Sequence, residues 1–150
     1  MVLIIKEFDM NINFYNNGLT ADDFILLRNS TTWGVPPKTQ IENSLNKSLY
    51  SVVAKDNDKT VGMGRLVGDG FMYWYIQDLI VLPKYQGKNI GRSIIENLLN
   101  YVKTNSLPEN TVTVGLMAAQ GKEGFYKKLG FIERPNDVLG CGMIQNIKIP

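Results

Sequence analysis

A glycine-containing turn between an apolar run and a helical pattern is the stretch of this sequence best suited to chemistry. Residues 79–82 are apolar and of strand type, and Pro83 ends that strand because proline cannot donate to a ladder. After residues 86–91 the apolar positions have helical spacing. They are Ile90, Ile94, Ile95, Leu98, Leu99 and Val102. A turn at a helix N-terminus presents backbone N–H groups to an anion, so a phosphate site is predicted, with Lys88 and Arg92 adding positive charge.

The composition excludes several other kinds of active site. The chain has 150 residues, of which 44% are hydrophobic and 20% are charged, as in an ordinary globular domain. It has no histidine and one cysteine, Cys141, so Ser–His and Cys–His nucleophile pairs are excluded and no metal is expected. The net charge of +2 is too small to indicate a nucleic-acid or membrane partner. A cytoplasmic location fits this composition best.

The remaining patterns predict the elements that position the turn. Residues 11–17 are interpreted as either a strand or a loop, and Thr20 is expected to cap the first helix. Helices are expected over residues 20–30, 38–49, 90–103 and 123–129. Strands are expected over residues 1–9, 50–55, 60–67, 71–82, 111–117, 131–134 and 140–148. The strands between residues 50 and 82 form an antiparallel meander, with an Arg65–Asp69 ion pair at one hairpin. One mixed α/β domain spanning residues 1–150 is therefore predicted.

Two blocks of the sequence resemble the GNAT family of acetyl-CoA-dependent N-acetyltransferases. Residues 86–91 resemble the Q/R-x-x-G-x-G/A turn that begins the family's long central helix. The second block, Phe-Tyr-x-x-x-Gly-Phe, is matched by Phe125, Tyr126, Gly130 and Phe131. The resemblance covers roughly residues 49–143, and residues 61–70 with 75–78 are similar to one bacterial-type branch.

The chain departs from the family pattern at two places. Asn89 stands where glycine is usual, but asparagine tolerates positive φ, so we expect the turn to form. Residues 118–120 lack an asparagine that many members carry after the fifth strand. No side chain of that junction is therefore assigned a role.

The resemblance implies the GNAT acyl-CoA N-acyltransferase fold. This fold has a twisted, mostly antiparallel sheet of six to seven strands, about four flanking helices, and a splayed fourth and fifth strand. The co-substrate implied is acetyl-CoA. Its pantetheine arm is expected to pair with the backbone of Leu79, Ile80 and Val81. Its pyrophosphate is expected at Gln86, Gly87, Lys88, Asn89, Ile90, Gly91 and Arg92.

Two side chains are the candidates for proton transfer. The resemblance implies that Tyr126 lies near the CoA sulfur and protonates the leaving thiolate. Asp78 is expected to be the general base or an amine contact, because an alkyl amine titrates near about 10.4 and must lose a proton. Glu123 and water are the alternative bases, and a hydrogen-bonded carboxylate without a catalytic part is the other interpretation of Asp78. Trp33 is expected either at the lip of the acceptor pocket or packed between helices. Contact with the acceptor is the alternative to the ion pair for Arg65 and Asp69.

The predicted function is direct transfer of acetyl from acetyl-CoA to a primary amine of a small molecule or peptide, in a ternary complex. A catalytically silent module that binds or senses acyl-CoA is the alternative. The sequence carries no recognisable code for the acceptor. The oligomeric state stays open, with a homodimer as one option.

Overall fold

A five-stranded sheet with its strands in chain order is the central element of the fold. The structure is a computed structural model that describes residues 10–150. The strands are β1 (Ile12–Asn16), β2 (Tyr50–Asp56), β3 (Lys59–Gly68), β4 (Tyr73–Val81) and β5 (Thr113–Gly115). Neighbours from β1 to β4 are antiparallel, whereas β5 runs parallel to β4. The predicted meander is confirmed as β2, β3 and β4.

Four α-helices accompany these strands in the described part of the chain. They are α1 (Ala21–Arg28), α2 (Lys38–Asn46), α3 (Ile90–Asn105) and α4 (Glu123–Lys127), and a single 3-10 turn covers Pro83–Tyr85. The predicted cap of α1 is confirmed: the Asp23 backbone N–H donates to Thr20 Oγ1 at 3.1 Å, and the Thr20 N–H donates to Asp23 Oδ2 at 3.3 Å. None of these helices has the length and apolar character that crossing a membrane requires.

The core lies on both faces of the sheet. On one face, Phe24 and Leu27 of α1 and Ile41 of α2 pack with Met63 and Ile80 of the sheet. On the other face, α3 contacts β2, β3 and β4 through its apolar stripe. The stripe is fully buried at Ile94, Ile95 and Leu98. Burying each such side chain stabilises the fold by about 1.5–3 kcal/mol before entropy costs are counted.

Glycine at position 64 allows α3 to approach the sheet closely. A Cβ atom at Gly64 would lie 2.7 Å from Ile94 Cγ2 and 3.2 Å from Leu98 Cδ1. Contacts that short require the helix or the strand to move. Gly64 therefore fixes how near the N-terminal half of α3 lies to β3. The turn that begins at residue 86 leads directly into that half of the helix.

The chain divides into two compact units, and the described residues hold fewer strands than were predicted for them. One unit extends to Gly115 and holds the sheet with α1 to α3, and the other is Leu116–Pro150. The strands predicted at 131–134 and 140–148 are wrong, so the described residues form five strands instead of six to seven. Residues 132–150 are exposed throughout, so their apolar side chains bury too little surface to offset the entropy of ordering. The strand predicted at 1–9 lies outside the described residues.

Candidate functional site

The β4 and β5 strands pair over only three residues each, as expected for a splayed pair. Its ladder joins Tyr73, Trp74 and Tyr75 to the three residues of β5. In the described part of the chain, no strand extends this ladder along residues 76–81 of β4. Among residues 10–150, backbone groups on that side of β4 therefore have no strand partner. One of them, the Val81 carbonyl, accepts a hydrogen bond from Gln86 Nε2 at 2.9 Å, which ties the turn to the end of the strand.

A β-bulge interrupts β4 at Asp78. Met63 pairs with Ile80 and Arg65 pairs with Gln77, so two residues of β4 lie opposite Gly64 alone. Asp78 takes a left-handed conformation with φ of 54°. Such a backbone costs about 1–3 kcal/mol for a residue other than glycine, so the surroundings must hold it in place.

Two arginines hold the Asp78 carboxylate. Arg28 Nη1 donates to Oδ1 at 2.9 Å, and Arg65 Nε donates to Oδ2 at 2.7 Å. The Asp78 side chain is 6% exposed, so these are largely desolvated ion pairs. The sequence-based interpretation that Asp78 is a hydrogen-bonded carboxylate agrees with this geometry. Its role as a base or amine contact stays a prediction.

Arg28 also ties the loop after α1 to the bulge. Its Nε donates to the Gly34 carbonyl at 2.9 Å. Its guanidinium lies 5.2 Å from the centre of the Trp33 ring, within cation–π range. Trp33 remains 39% exposed, so its ring is open to a ligand. The structure thus connects two residues predicted to meet the acceptor, Trp33 and Asp78, through a residue that the sequence analysis did not select.

The predicted ion pair between Arg65 and Asp69 is wrong. Arg65 binds Asp78, while Asp69 Oδ1 accepts the backbone N–H groups of Phe71, Met72 and Tyr73 at 2.8, 2.9 and 3.0 Å. These backbone donors hold the pKa of Asp69 below its ordinary value. Asp69 therefore stabilises the β3–β4 turn, whereas Arg65 pairs with Asp78, a buried residue 13 positions further along the chain.

The turn before α3 has the geometry of an anion site. Gly87 and Asn89 have φ of 74° and 62°, and Asn89 is the N-cap residue of α3. The expectation that asparagine would preserve the turn is confirmed. The Asn89 side chain makes no capping hydrogen bond. Among residues 10–150, no acceptor is found for the backbone N–H groups of residues 87–92.

These residues fit a diphosphate. These N–H groups, without acceptors in the described part of the chain, form the positive end of the dipole of a 16-residue helix. Lys88 and Arg92 are exposed beside them. Arg92 donates to Glu96 at 2.8 Å, and Lys88 lies 5.6 Å from the Tyr85 ring centre. An exposed ion pair such as Arg92–Glu96 contributes about 0–1 kcal/mol, so Arg92 can turn toward a ligand at little cost.

Tyr126 lies in the second unit, on α4. Its ring meets those of Phe125 and Phe131 edge-on, with centroids 5.0 and 5.9 Å apart. Burial raises the pKa of Tyr126, because the charged phenolate would lose solvation. The hydroxyl therefore stays protonated at neutral pH. Glu123 begins the same helix, and Cys141 is exposed with a free thiol.

Comparison with known proteins gives the family. A sequence model described as an acetyltransferase (GNAT) domain matches residues 31–143. An uncharacterized N-acetyltransferase, ycf52, of Pyropia yezoensis is 30% identical over 134 residues, which are 87% of this chain and 71% of that protein. The protein belongs to the GNAT family of acetyltransferases.

Solved structures agree with this assignment. A GNAT family acetyltransferase of Streptococcus pneumoniae, SP0256, is 31% identical with a TM-score of 0.74, over 91% of this chain and all of that one (100%). A Staphylococcus aureus protein of unknown function, SA2161, described as a probable acetyltransferase, is 30% identical with a TM-score of 0.78, over 90% and 100% of the two chains. The GNAT fold expected from the resemblance is confirmed, with the smaller number of strands given above.

Proposed function

We propose that this protein transfers the acetyl group of acetyl-CoA directly to a primary amine of a small molecule or peptide, within a ternary complex. One observation carries the proposal: the backbone N–H groups of residues 87–92, which have no acceptor among residues 10–150, lie just after the end of β4, whose far edge lacks a strand neighbour in the same range. A diphosphate on the turn would bring the attached arm to that edge. A cytoplasmic location, expected from the composition, is part of the proposal.

The backbone of β4 orients the thioester in this proposal. Leu79, Ile80 and Val81 follow the bulge, on the strand whose far side lacks a neighbour among the described residues. The arm's amides add to β4 as a further strand would, which is a general mode of peptide-like recognition. An N–H group of the same segment then stabilises negative charge developing on the acetyl oxygen. The thioester itself supplies the activated acetyl group.

Direct transfer is favoured over a covalent acetyl-enzyme. The chain has no histidine to activate a thiol, and Cys141 is exposed in the second unit. A base must then act on the amine. Asp78 would give up an arginine contact to do so, which supports water as the first proton acceptor and Asp78 as the group that shapes the site.

Tyr126 is proposed as the acid that meets the leaving thiolate. A thiol titrates near about 8.5 and a tyrosine near about 10, so full proton transfer is uphill by roughly 2 kcal/mol. Burial raises the pKa of Tyr126 and widens this gap. We therefore assign Tyr126 a hydrogen bond to the developing thiolate, which stabilises the charge without complete transfer.

Free-thiol release tests the proposal. The protein is incubated with acetyl-CoA and a panel of primary amines, and CoA thiol is measured against samples without amine. The proposal expects amine-dependent release together with an acetylated amine of the matching mass. Binding of acetyl-CoA with no release for any amine would contradict the proposal and leave the silent acyl-CoA-binding module.

A further inference from the structure

We propose that Arg28 selects acceptors that carry an oxyanion, either a carboxylate or a phosphate, beside the reacting amine. This inference rests on the proposed function, because it concerns the acceptor of that reaction. It arises from the way Arg28 joins Trp33 to Asp78 at the β4 bulge.

Part of the Arg28 guanidinium is uncommitted. Nε donates to Gly34 and Nη1 to Asp78, while Nη2 has no hydrogen-bond partner within residues 10–150. Nη2 is not fully buried. The side chain as a whole is 20% exposed. A guanidinium edge that is held in place and reachable is suited to a carboxylate or phosphate, which it binds with charge-assisted hydrogen bonds.

The local charge favours the same class of ligand. Two guanidinium groups face one carboxylate, which leaves an excess of one positive charge. Both oxygens of Asp78 already accept hydrogen bonds from these arginines. A second ammonium group on an acceptor, as in a polyamine, would meet this excess charge without a free carboxylate. An oxyanion would neutralise it, so the cluster discriminates by repulsion as well as attraction.

Trp33 adds a surface for the body of the acceptor. Its ring holds the Arg28 guanidinium at 5.2 Å and is still 39% exposed. An acceptor whose oxyanion meets Nη2 can therefore place apolar atoms on the indole. Arg65 contributes less to such contact, because its side chain is 12% exposed and is further bound to Ser48 and Ser44.

Matched pairs of amines test the inference. Phenylalanine is compared with 2-phenylethylamine, and O-phosphoethanolamine with ethanolamine, since each pair differs by the oxyanion. For the wild-type protein we expect kcat/KM at least tenfold higher for the oxyanion member of one pair. Arg28→Gln is expected to lower that ratio at least tenfold, because kcat/KM falls further for the oxyanion member of the pair than for the amine-only member. Lys38→Gln, which removes an exposed cation paired with Asp22, should preserve the ratio.

The outcomes separate this inference from the proposed function. Equal kcat/KM within both pairs, or an unchanged ratio in Arg28→Gln, overturns the role of Arg28 while leaving acetyl transfer intact. If no amine releases thiol, the proposed function fails, and the same pairs are titrated while tryptophan fluorescence is followed. Binding that needs both the oxyanion and Arg28 then supports the inference, and binding that needs neither overturns it. If Arg28→Gln does not fold, Arg28→Lys takes its place, with an expected fall in the ratio of at least threefold.

Discussion

Arg65 Nε and Asp78 Oδ2 lie 2.7 Å apart, and Asp78 belongs to the β-bulge that interrupts the pairing of β4 with β3. Asp78→Asn leaves two arginines without their shared counter-ion. Removing one partner of a buried pair leaves the other charge uncompensated, so the free energy of unfolding should fall by roughly 3–5 kcal/mol. Urea denaturation of the variant and the wild type measures this change.

Asp78→Asn also distinguishes two roles for Asp78, a structural ion-pair partner and a general base. If Asp78 is the general base and contributes little to the fold, kcat should fall by orders of magnitude while the urea midpoint stays unchanged. The geometry instead predicts that Asp78→Asn clearly lowers the urea midpoint. It should also lower kcat, and Arg65→Lys should partly reproduce that fall in kcat. An unaltered urea midpoint would contradict the anchoring role.

Gly64→Ala tests the close approach of α3 to the sheet. The added methyl group would meet Ile94 at 2.7 Å, and overpacking of this kind costs typically about 1–3 kcal/mol. Gly18→Ala is the matched control, because its Cβ would make ordinary contacts of 3.5 and 3.7 Å with Tyr15 and Val53. Thermal and urea unfolding should show the loss at position 64 and a change within about 0.5 kcal/mol at position 18. Equal effects would show that the helix–strand distance is not critical.

Local signals in the sequence were sufficient for most of the fold. Thr20 and Asp23 form a capping box because the two partners are three residues apart and need no tertiary context. The spacing of apolar residues gave α3, and the tolerance of asparagine for positive φ gave the turn at Asn89. The site's backbone was predictable because turn and helix chemistry is short-range.

Side-chain partners were less predictable. Asp78 is 50 residues from Arg28, and nothing local distinguishes that pairing from the Arg65–Asp69 pair that the hairpin favoured. The bulge decides the outcome, because it turns Asp78 inward opposite Gly64, and Gly64 itself was the available signal. The strands predicted at 131–134 and 140–148 were wrong because residues 132–150 are exposed, and the favourable packing of strand residues depends on burial against neighbours.

Tyr126→Phe tests the acid. Loss of the hydroxyl should lower kcat at least about tenfold, because its hydrogen bond to the developing thiolate is lost, with little change in the Kd of acetyl-CoA. Because burial raises the pKa of Tyr126, ionisation of the hydroxyl should not reduce kcat below about pH 10. The pH–rate profile and calorimetric titration with acetyl-CoA measure these expectations. Unchanged kcat in the variant would remove the assigned role.

Asp23 should make stability depend on acid pH. Burial acts to raise the pKa of Asp23, but hydrogen bonds from Thr60 and Thr20 and the charge of Lys55 outweigh it and lower the pKa. Because its pKa is lowered in the folded state, Asp23 contributes to the free energy of unfolding. This contribution is complete above the pKa of the unfolded state, about 3.9, and is lost as the pH falls through the pKa of the folded state. The urea midpoint should therefore decrease below about pH 4, and less steeply in Asp23→Asn.

A surface carboxylate provides the control for that experiment. Asp22 is exposed and pairs only with exposed Lys38, so Asp22→Asn should keep the acid dependence of the wild type. If Asp23→Asn and Asp22→Asn have identical pH profiles, the buried hydrogen bonds of Asp23 do not control acid stability.

The binding of CoA to the turn before α3 is the claim on which the proposed function depends most. Backbone amide chemical shifts, followed by NMR during titration with CoA, report on the unpaired N–H groups one residue at a time. The expected result is saturable shifts at Gly87, Asn89 and Gly91, accompanied by Leu79 and Val81 of β4, with Asn13 of β1 unchanged. Saturable binding that leaves the amides of residues 87–92 unshifted would contradict the account.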